Sequence, residues 1–348
     1  MSEADGAGLH VWMPTIRGGS GGDVFVERLV EGLRSAGVEV TVEWFDPRFE
    51  FVPALLSRKR PPPGANVIHA NALSAFASAG HGLPLVVTEH HYVRDPAYRP
   101  YTTTMQAAYH RWVIGPSLAR SFRVADVLTT HSVFTARALY AAGVEPHARV
   151  IPLWADYRIF SPSPSKTVAD GPFKLLFVGN RSRRKGADVV DQLAKLLGPS
   201  VEIACTGGLR GGKVGDAPAN IRFLGRLSTD DLVGAYRDCD AALIPSRYEG
   251  FGYAALEAMA CGKPVVGFAC GSIEEIVDSG RTGFLRAVDD IGGLRDDVLK
   301  LMQNASLRAR MGDAARERAI TAFSVDAGVA SYVAAYRDAI LRRQESLS

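Results

Sequence analysis

Short apolar runs, each ending in a polar or glycine-rich turn that leads into an amphipathic helix, recur along this chain and restrict its fold more than any other feature. Residues 9–13, 38–45, 65–69, 85–90 and 127–131 read as strands, with helices over 23–36 and 105–113, the second broken by Gly115-Pro116. Strands alternating with helices through tight glycine turns indicate a doubly wound parallel sheet. The pattern then restarts: strands at 173–178, 201–205, 221–224, 241–244 and 264–269 alternate with helices at 187–197 and 230–237. A chain of 348 residues, 47% of them hydrophobic, has material for two packed cores. The Ser- and Pro-rich stretch 161–171 is the natural linker between them.

Charge and cysteine usage exclude several classes. A formal net charge of +3, with both signs interspersed, gives no nucleic-acid footprint. The four cysteines, Cys205, Cys239, Cys261 and Cys270, form no Cys-x-x-Cys pair and read as reduced structural thiols. The first eight residues lack the basic region and apolar run of a signal peptide, and no apolar run approaches a membrane span, so a cytoplasmic location is expected. From 92 to 123 the chain carries many Tyr, Arg and Trp residues. They could bind a sugar, rest on anionic lipid at the inner face of a membrane, or simply pack a helix on the sheet.

The chemistry-bearing stretch is 245–267, Pro-Ser-Arg-Tyr-Glu-Gly-Phe-Gly-Tyr-Ala-Ala-Leu-Glu-Ala-Met-Ala-Cys-Gly-Lys-Pro-Val-Val-Gly. A buried strand runs out into a turn and then into a helix. The backbone N–H groups of Gly250, Phe251 and Gly252 therefore face outward from the carboxyl edge of a sheet, where phosphate or sugar oxygens are received. Glu249 and Glu257 are eight residues apart, roughly 12 Å of rise on a continuous helix. One carboxylate then lies at the mouth and the other about two turns deeper, a spacing that suits a nucleotide sugar. Glu257 stands on an otherwise apolar helix and needs a partner if buried.

This stretch resembles the Glu-x7-Glu signature of glycosyltransferase family 4, embedded in Ser-x-x-Glu-Gly-Phe-Gly and followed by Glu-Ala-Met-Ala-Cys-Gly-x-Pro-Val-Val. The resemblance is strongest over 174–285 and continues through Cys270-Gly-Ser-Ile-Glu-Glu and Gly280-Arg-Thr-Gly-Phe-Leu. It implies the GT-B fold, two Rossmann-like domains facing a cleft: 1–160 on the acceptor side, 172–325 binding the nucleotide sugar, and a last helix, 326–348, crossing back to the first domain. The implied reaction moves a hexose-type sugar from a nucleoside diphosphate sugar to a hydroxyl acceptor, with retention, no metal and no further cofactor. The acceptor class stays open among glycans, lipid-linked sugars and small molecules, as do donor base and oligomeric state. A sugar phosphorylase and a non-catalytic nucleotide-sugar binding protein are the alternatives.

The basic loop 179–186, Gly-Asn-Arg-Ser-Arg-Arg-Lys-Gly, joins a strand end to a helix N-terminus, where clustered cations make sense around a bound anion. Lys185 matches the family's phosphate-contacting lysine. Asn180 stands where relatives carry arginine, so Arg181 or Arg184 must supply a second charge. Backbone around Arg222 and Leu224 is where relatives hold the base. In the first half, Gly18-Gly-Ser-Gly-Gly22 opens a helix, and Gly19, Gly21 and Gly22 would touch the diphosphate. That loop fits neither a dinucleotide fingerprint nor, following the first strand, a Gly-x-Ser-x-Gly nucleophile elbow. His69, His90 and His131 each stand at a strand's carboxyl end and could converge; a zinc site from the three is a weaker reading than hydrogen-bonded loop histidines. His90 resembles the family's histidine near the transferred sugar. Asp238-Cys-Asp240 matches Asp-x-Asp but falls at the entering end of a strand, which favours helix-end capping.

Overall fold

A computed structural model of the chain describes residues 8–145, 147–163, 171–207 and 217–346. Of the expected linker, 164–170 lie outside the described residues, as do 1–7 of the leading segment and Gly208 of the turn after the 201–205 strand. The chain divides into two compact units, Met1–Leu153 together with Val325–Ser348, and Trp154–Ser324.

The first unit runs β1 (His10–Ile16), α1 (Gly21–Ser35), β2 (Glu39–Phe45), β3 (Val67–Asn71), β4 (Leu85–Glu89), α2 (Thr104–Tyr109), α3 (Gly115–Val124), β5 (Val127–Thr130), α4 (Val133–Ala141) and β6 (Arg149–Val150). Its six strands are all parallel, in the order β2-β1-β3-β4-β5-β6. Strands buried on both faces need continuous apolar runs, and Leu85, Val86 and Val87 are fully buried. Trp12, Ile68, Val87, Leu118, Phe122 and Leu128 form the core on the α3 side of this sheet.

The second unit runs β7 (Phe173–Phe177), α5 (Ala187–Leu197), β8 (Val201–Thr206), β9 (Ile221–Gly225), α6 (Thr229–Asp238), β10 (Ala241–Ile244), α7 (Tyr253–Ala260), β11 (Val265–Phe268), α8 (Ile273–Ile276), β12 (Gly283–Arg286), α9 (Ile291–Gln303) and α10 (Ala305–Ala322). Its six parallel strands follow the order β12-β11-β10-β7-β8-β9. Phe177, Val190, Leu193, Ile203, Leu243 and Phe268 are among its core residues, each worth about 1.5–3 kcal/mol when buried from water. All four cysteines are free and buried, and burial pushes their thiols up to about 12.

The last helix, α11 (Val325–Glu345), belongs to the first unit. With α10 it forms a stretch apolar and long enough to cross a membrane, yet its apolar residues Tyr332, Val333, Ala335, Tyr336 and Ala339 are buried inside that unit. A buried polar chain holds it there. Tyr336 Oη lies 2.9 Å from His69 Nδ1, His69 Nε2 2.7 Å from Thr88 Oγ1, and Thr88 Oγ1 2.6 Å from Thr129 Oγ1, which donates to the Val87 carbonyl. Every member has a donor or acceptor partner, as burial demands. Arg343 pairs with Asp126 at 2.9 Å and Arg149 with Asp338 at 2.6 Å on the same helix.

Gly115-Pro116 does not end a helix. The segment passes from α2 through a π turn, His110–Ile114, into α3, with the Gly115 N–H bonded to the His110 carbonyl. A wider turn tolerates a proline whose ring would clash with the preceding α-helical carbonyl. A Cβ at Gly115 would overlap the Arg94 side chain, so the absent side chain also makes room there. Strand β12 was not expected as a strand; it pairs with β11 from Val265↔Gly283 to Phe268↔Arg286.

Candidate functional site

In an open parallel sheet, ligands bind outside the carboxyl ends of strands where the winding direction reverses. In the first sheet that point lies between β1 and β3, and in the second between β7 and β10. The glycine loop follows β1; the basic loop follows β7, and the 245–252 turn follows β10.

In the second unit, Ser182 caps a short turn, Arg183–Lys185, and Gly186 closes it at φ +77°. A Cβ on Gly186 would come within 2.1 Å of the Pro245 carbonyl oxygen, so the basic turn lies directly on the β10 loop only because this residue has no side chain. That contact brings Lys185 Nζ to 2.5 Å from Glu249 Oε2. Ser246 Oγ lies 3.4 Å from the same oxygen. Both ionic side chains are mostly buried, and with Ser246, Gly252 and Ala255 they line a small recess under the sheet edge. Phe251 is buried, its carbonyl accepts from Ser272 Oγ, and Gly252 stands at φ +105° as the cap residue of α7.

The two arginines left open by the sequence are engaged differently. Arg181 Nη2 bridges both oxygens of Asp191 at 2.9 and 2.8 Å, its guanidinium stacks over the Phe223 ring, and its buried Nη1 has no hydrogen-bond partner. Arg184 spends Nη1 on the Tyr248 carbonyl at 3.0 Å and makes no other side-chain bond among the described residues. Glu257 is buried one turn into α7, where its Oε2 accepts from Tyr236 Oη at 3.1 Å.

Arg222 is not brought to this group. As the second residue of β9 it lies near the amino edge of the sheet, 2.9 Å from Glu202 and 3.9 Å from Asp238, while Leu224 is near the strand's carboxyl end. Asp238 and Asp240 occupy that amino edge too. Asp238 binds the Lys174 ammonium and Asp240 accepts the Lys174 backbone N–H, which is a structural duty. Among the described residues no three His, Cys, Asp or Glu side chains form a group able to hold a metal ion.

Sequence reasoning missed Arg247, although it stands in the quoted stretch. Its side chain is almost wholly buried and uses four donor contacts: Asp188 Oδ1 and Oδ2, Asp289 Oδ1 and the Arg183 carbonyl, each at 2.7 Å. The clamp ties the basic turn, the start of α5 and the loop after β12 together. Hydrogen bonds from Arg247 hold the Asp188 carboxyl below its ordinary value against the opposing effect of burial. The partners lie 59 and 42 residues away, and no local pattern signals them.

In the first unit, the glycine loop folds on Asp23, whose carboxylate accepts from Gly18 N at 3.0 Å and Gly19 N at 2.7 Å. Ser20 Oγ caps α1 by accepting from Gly22 N, a duty that accounts for the serine without any nucleophilic role. A Cβ added to Gly22 would be 3.7 Å from His90 Nε2, so the loop and this histidine are neighbours. His69, His90 and His131 do converge, around one face of Phe25, with ring centroids 6.1, 5.0 and 4.8 Å from it. Burial depresses all three: His69 to about 3, His90 to about 4, and His131 well below its ordinary value. Glu89, next to His90, is buried with Oε2 unpartnered, and burial pushes its carboxyl up to about 8. No sequence signal marked it.

Among the described residues, two six-stranded parallel sheets of Rossmann type, each with the candidate loops at its switch point, define the GT-B class of fold. The sucrose-phosphate synthase of Thermosynechococcus elongatus shares this fold, with a TM-score of 0.77 at 19% identity, over 98% of this chain and 100% of that one. The family model of the glycosyl transferases group 1 matches residues 162–318, a span that includes the 245–267 stretch and bears out its family-4 likeness. It is 32% identical over 221 residues to the D-inositol 3-phosphate glycosyltransferase of Arthrobacter sp. (strain FB24), covering 55% of this chain and 52% of that one. It is 29% identical to the MMP alpha-(1->4)-mannosyltransferase of Mycolicibacterium hassiacum, covering 80% and 71%. The chain spans about half the length of the first curated relatives that it matches.

Proposed function

We propose that the protein is a retaining glycosyltransferase that moves a hexose-type sugar from a nucleoside diphosphate sugar to a hydroxyl acceptor. The observation that carries this reading is the Lys185–Glu249 pair at the carboxyl ends of β7 and β10. Breaking the bond from the anomeric carbon to the diphosphate leaves negative charge on the phosphates and positive charge on the sugar. Lys185 and Arg184 supply fixed cations to the first, without a metal, and the positive end of the α7 dipole adds to them. Glu249 accepts sugar hydroxyls while holding the Lys185 ammonium in place. Glu257 takes ribose hydroxyls, and attack comes from the face the leaving group departs, with no covalent nucleophile. The glycosyltransferase and mannosyltransferase relatives support sugar transfer.

Lys185→Ala and Glu249→Ala should each lower turnover by at least about tenfold, roughly 1.4 kcal/mol of transition-state binding. Unchanged rates in both variants would remove the site. Thermal stabilisation by UDP, GDP, ADP and their sugars would identify the donor. Sugar 1-phosphate formed from inorganic phosphate without nucleotide would instead indicate a phosphorylase, and affinity without turnover a binding protein.

The same reading includes a cytoplasmic setting with peripheral contact to an anionic membrane. Met105 and Trp112 are 81% and 71% exposed on the first unit, and Phe51, itself exposed, packs on Tyr109 so that the 51–55 and 104–112 segments share one surface. Residues 96–125 hold Arg99, Arg111, Arg120 and Arg123 and no acidic residue. Exposed apolar side chains on a segment whose only charges are basic suit anionic lipid. The protein should sediment with phosphatidylcholine vesicles containing phosphatidylglycerol and less with phosphatidylcholine alone, and Met105→Ser with Trp112→Ser should abolish the difference. Equal sedimentation with both vesicle types, or none, would refute the contact.

A further inference from the structure

We propose that His131 is a positioning residue that locks His90 in the tautomer whose Nε2 carries no proton, so that His90 meets a bound sugar as a hydrogen-bond acceptor. The inference rests on the reading of His90 as a sugar contact and deepens it.

The parallel register creates the arrangement. Glu89 lies opposite Thr130, and Thr130 opposite Val150, so the residues one step on, His90, His131 and Ile151, emerge in a rank from the carboxyl ends of β4, β5 and β6. Adjacent strands are about 4.8 Å apart, which is the spacing at which imidazoles on neighbouring strands meet. The two ring centroids lie 4.9 Å apart with 28° between their planes, and the Phe25 ring lies against both.

The protons can be assigned from one end. His131 Nδ1 is 3.3 Å from the Ile151 carbonyl oxygen, which can only accept, so Nδ1 carries a hydrogen. A neutral imidazole has a single N–H, so His131 Nε2 is bare. His90 Nδ1 lies 2.8 Å from that bare nitrogen and must donate to it. His90 Nε2 is therefore the bare nitrogen of its own ring. It has no protein partner among the described residues and faces the place where Gly22 lacks a side chain.

Protonating His131 would place a hydrogen on its Nε2 and so reverse the His90 assignment, and its surroundings oppose this. His131 is 1% exposed, and the groups facing the pair are the Phe25 ring, neutral His69 and, more distantly, the Asp23 carboxylate, which acts on His90 and not His131. A bare, neutral Nε2 accepts from a hydroxyl and offers nothing to a phosphate oxygen. This assigns His90 to a sugar hydroxyl and not to the diphosphate.

Long-range proton–nitrogen correlation on 15N-histidine-labelled protein at neutral pH reads both tautomers without any variant or ligand. The expected result is a pyridine-like Nε2 and pyrrole-like Nδ1 for His90, with the same pattern for His131. A pyrrole-like His90 Nε2 would overturn the proposal. His131→Leu should allow the other His90 tautomer and lower kcat at least about tenfold with nucleotide affinity unchanged. His131→Gln, whose side-chain oxygen can accept from His90 Nδ1, should restore the pyridine-like signal and most of kcat. If His131→Leu leaves both tautomer and kcat as they are, the lock is refuted. If the tautomers are as assigned but His90→Ala leaves turnover intact, the sugar-contact reading falls while the lock stands.

Discussion

Gly186→Ala tests whether the contact between the basic turn and the β10 loop builds the charged pair. Two costs add. An L-residue at φ +77° costs about 1 kcal/mol relative to glycine. The new Cβ would also lie 2.1 Å from the Pro245 carbonyl oxygen and 2.8 Å from its carbon, backbone atoms that cannot swing aside, an overpacking cost of about 2 kcal/mol. The sum, about 3 kcal/mol, should lower the melting temperature by roughly 6–12 °C in a unit of this size. Gly225→Ala is the control, because Gly225 has φ +69° in the same unit but open space around its Cβ position, so it should fall by only about 2–4 °C. Any relaxation moves Lys185 away from Glu249, so stabilisation by the bound nucleoside diphosphate should shrink in Gly186→Ala alone. Scanning calorimetry of both variants with and without nucleotide decides the matter. If Gly186→Ala melts within about 2 °C of the control and responds to nucleotide as the wild type does, the turn does not depend on this contact.

Stability should also carry a pH signature from Glu89. Its folded carboxyl titrates at about 8 and its unfolded one at about 4.5, so folding takes up a proton between these values. Stability is then highest at the acid end of that window, declines as pH rises to about 8 and levels off above. Glu89→Gln should match the wild-type melting temperature near about pH 5 and exceed it near about pH 8.5, and parallel melting curves at the two pH values would sink this account. Arg247→Lys keeps the charge but cannot span Asp188, Asp289 and the Arg183 carbonyl at once, so it should lose about 2 kcal/mol, or roughly 4–8 °C, with weaker nucleotide stabilisation. A variant that melts with the wild type would show that the clamp is dispensable.

The strands and helices were legible because their signals are local. Residues 187–197 carry a full amphipathic stripe, and 241–244 a four-residue apolar run, and both became elements with those bounds. β12 escaped because it is a four-residue edge strand, half-buried and opened by a glycine. The Lys185–Glu249 site was legible as two motifs but not as a contact, since Gly186 makes the contact and its glycine identity says nothing about Pro245. Arg222 shows the limit most clearly. Naming a strand does not say which end of it a side chain occupies, and the second residue of a parallel strand lies at the edge away from the ligand. Arg247 and Glu89 acquire their meaning only from neighbours distant in sequence.

The bond from His69 to Tyr336 joins positions 267 residues apart, and both belong to the unit whose strands are made first. During synthesis, most of that unit's sheet leaves the ribosome before the helix that covers Phe25 and the histidine face exists, while the second unit can complete itself in between. Chains truncated after residue 324 and freed from the ribosome should thus contain a finished back half and an unfinished front half, a state in which chaperones would find apolar strand faces to hold.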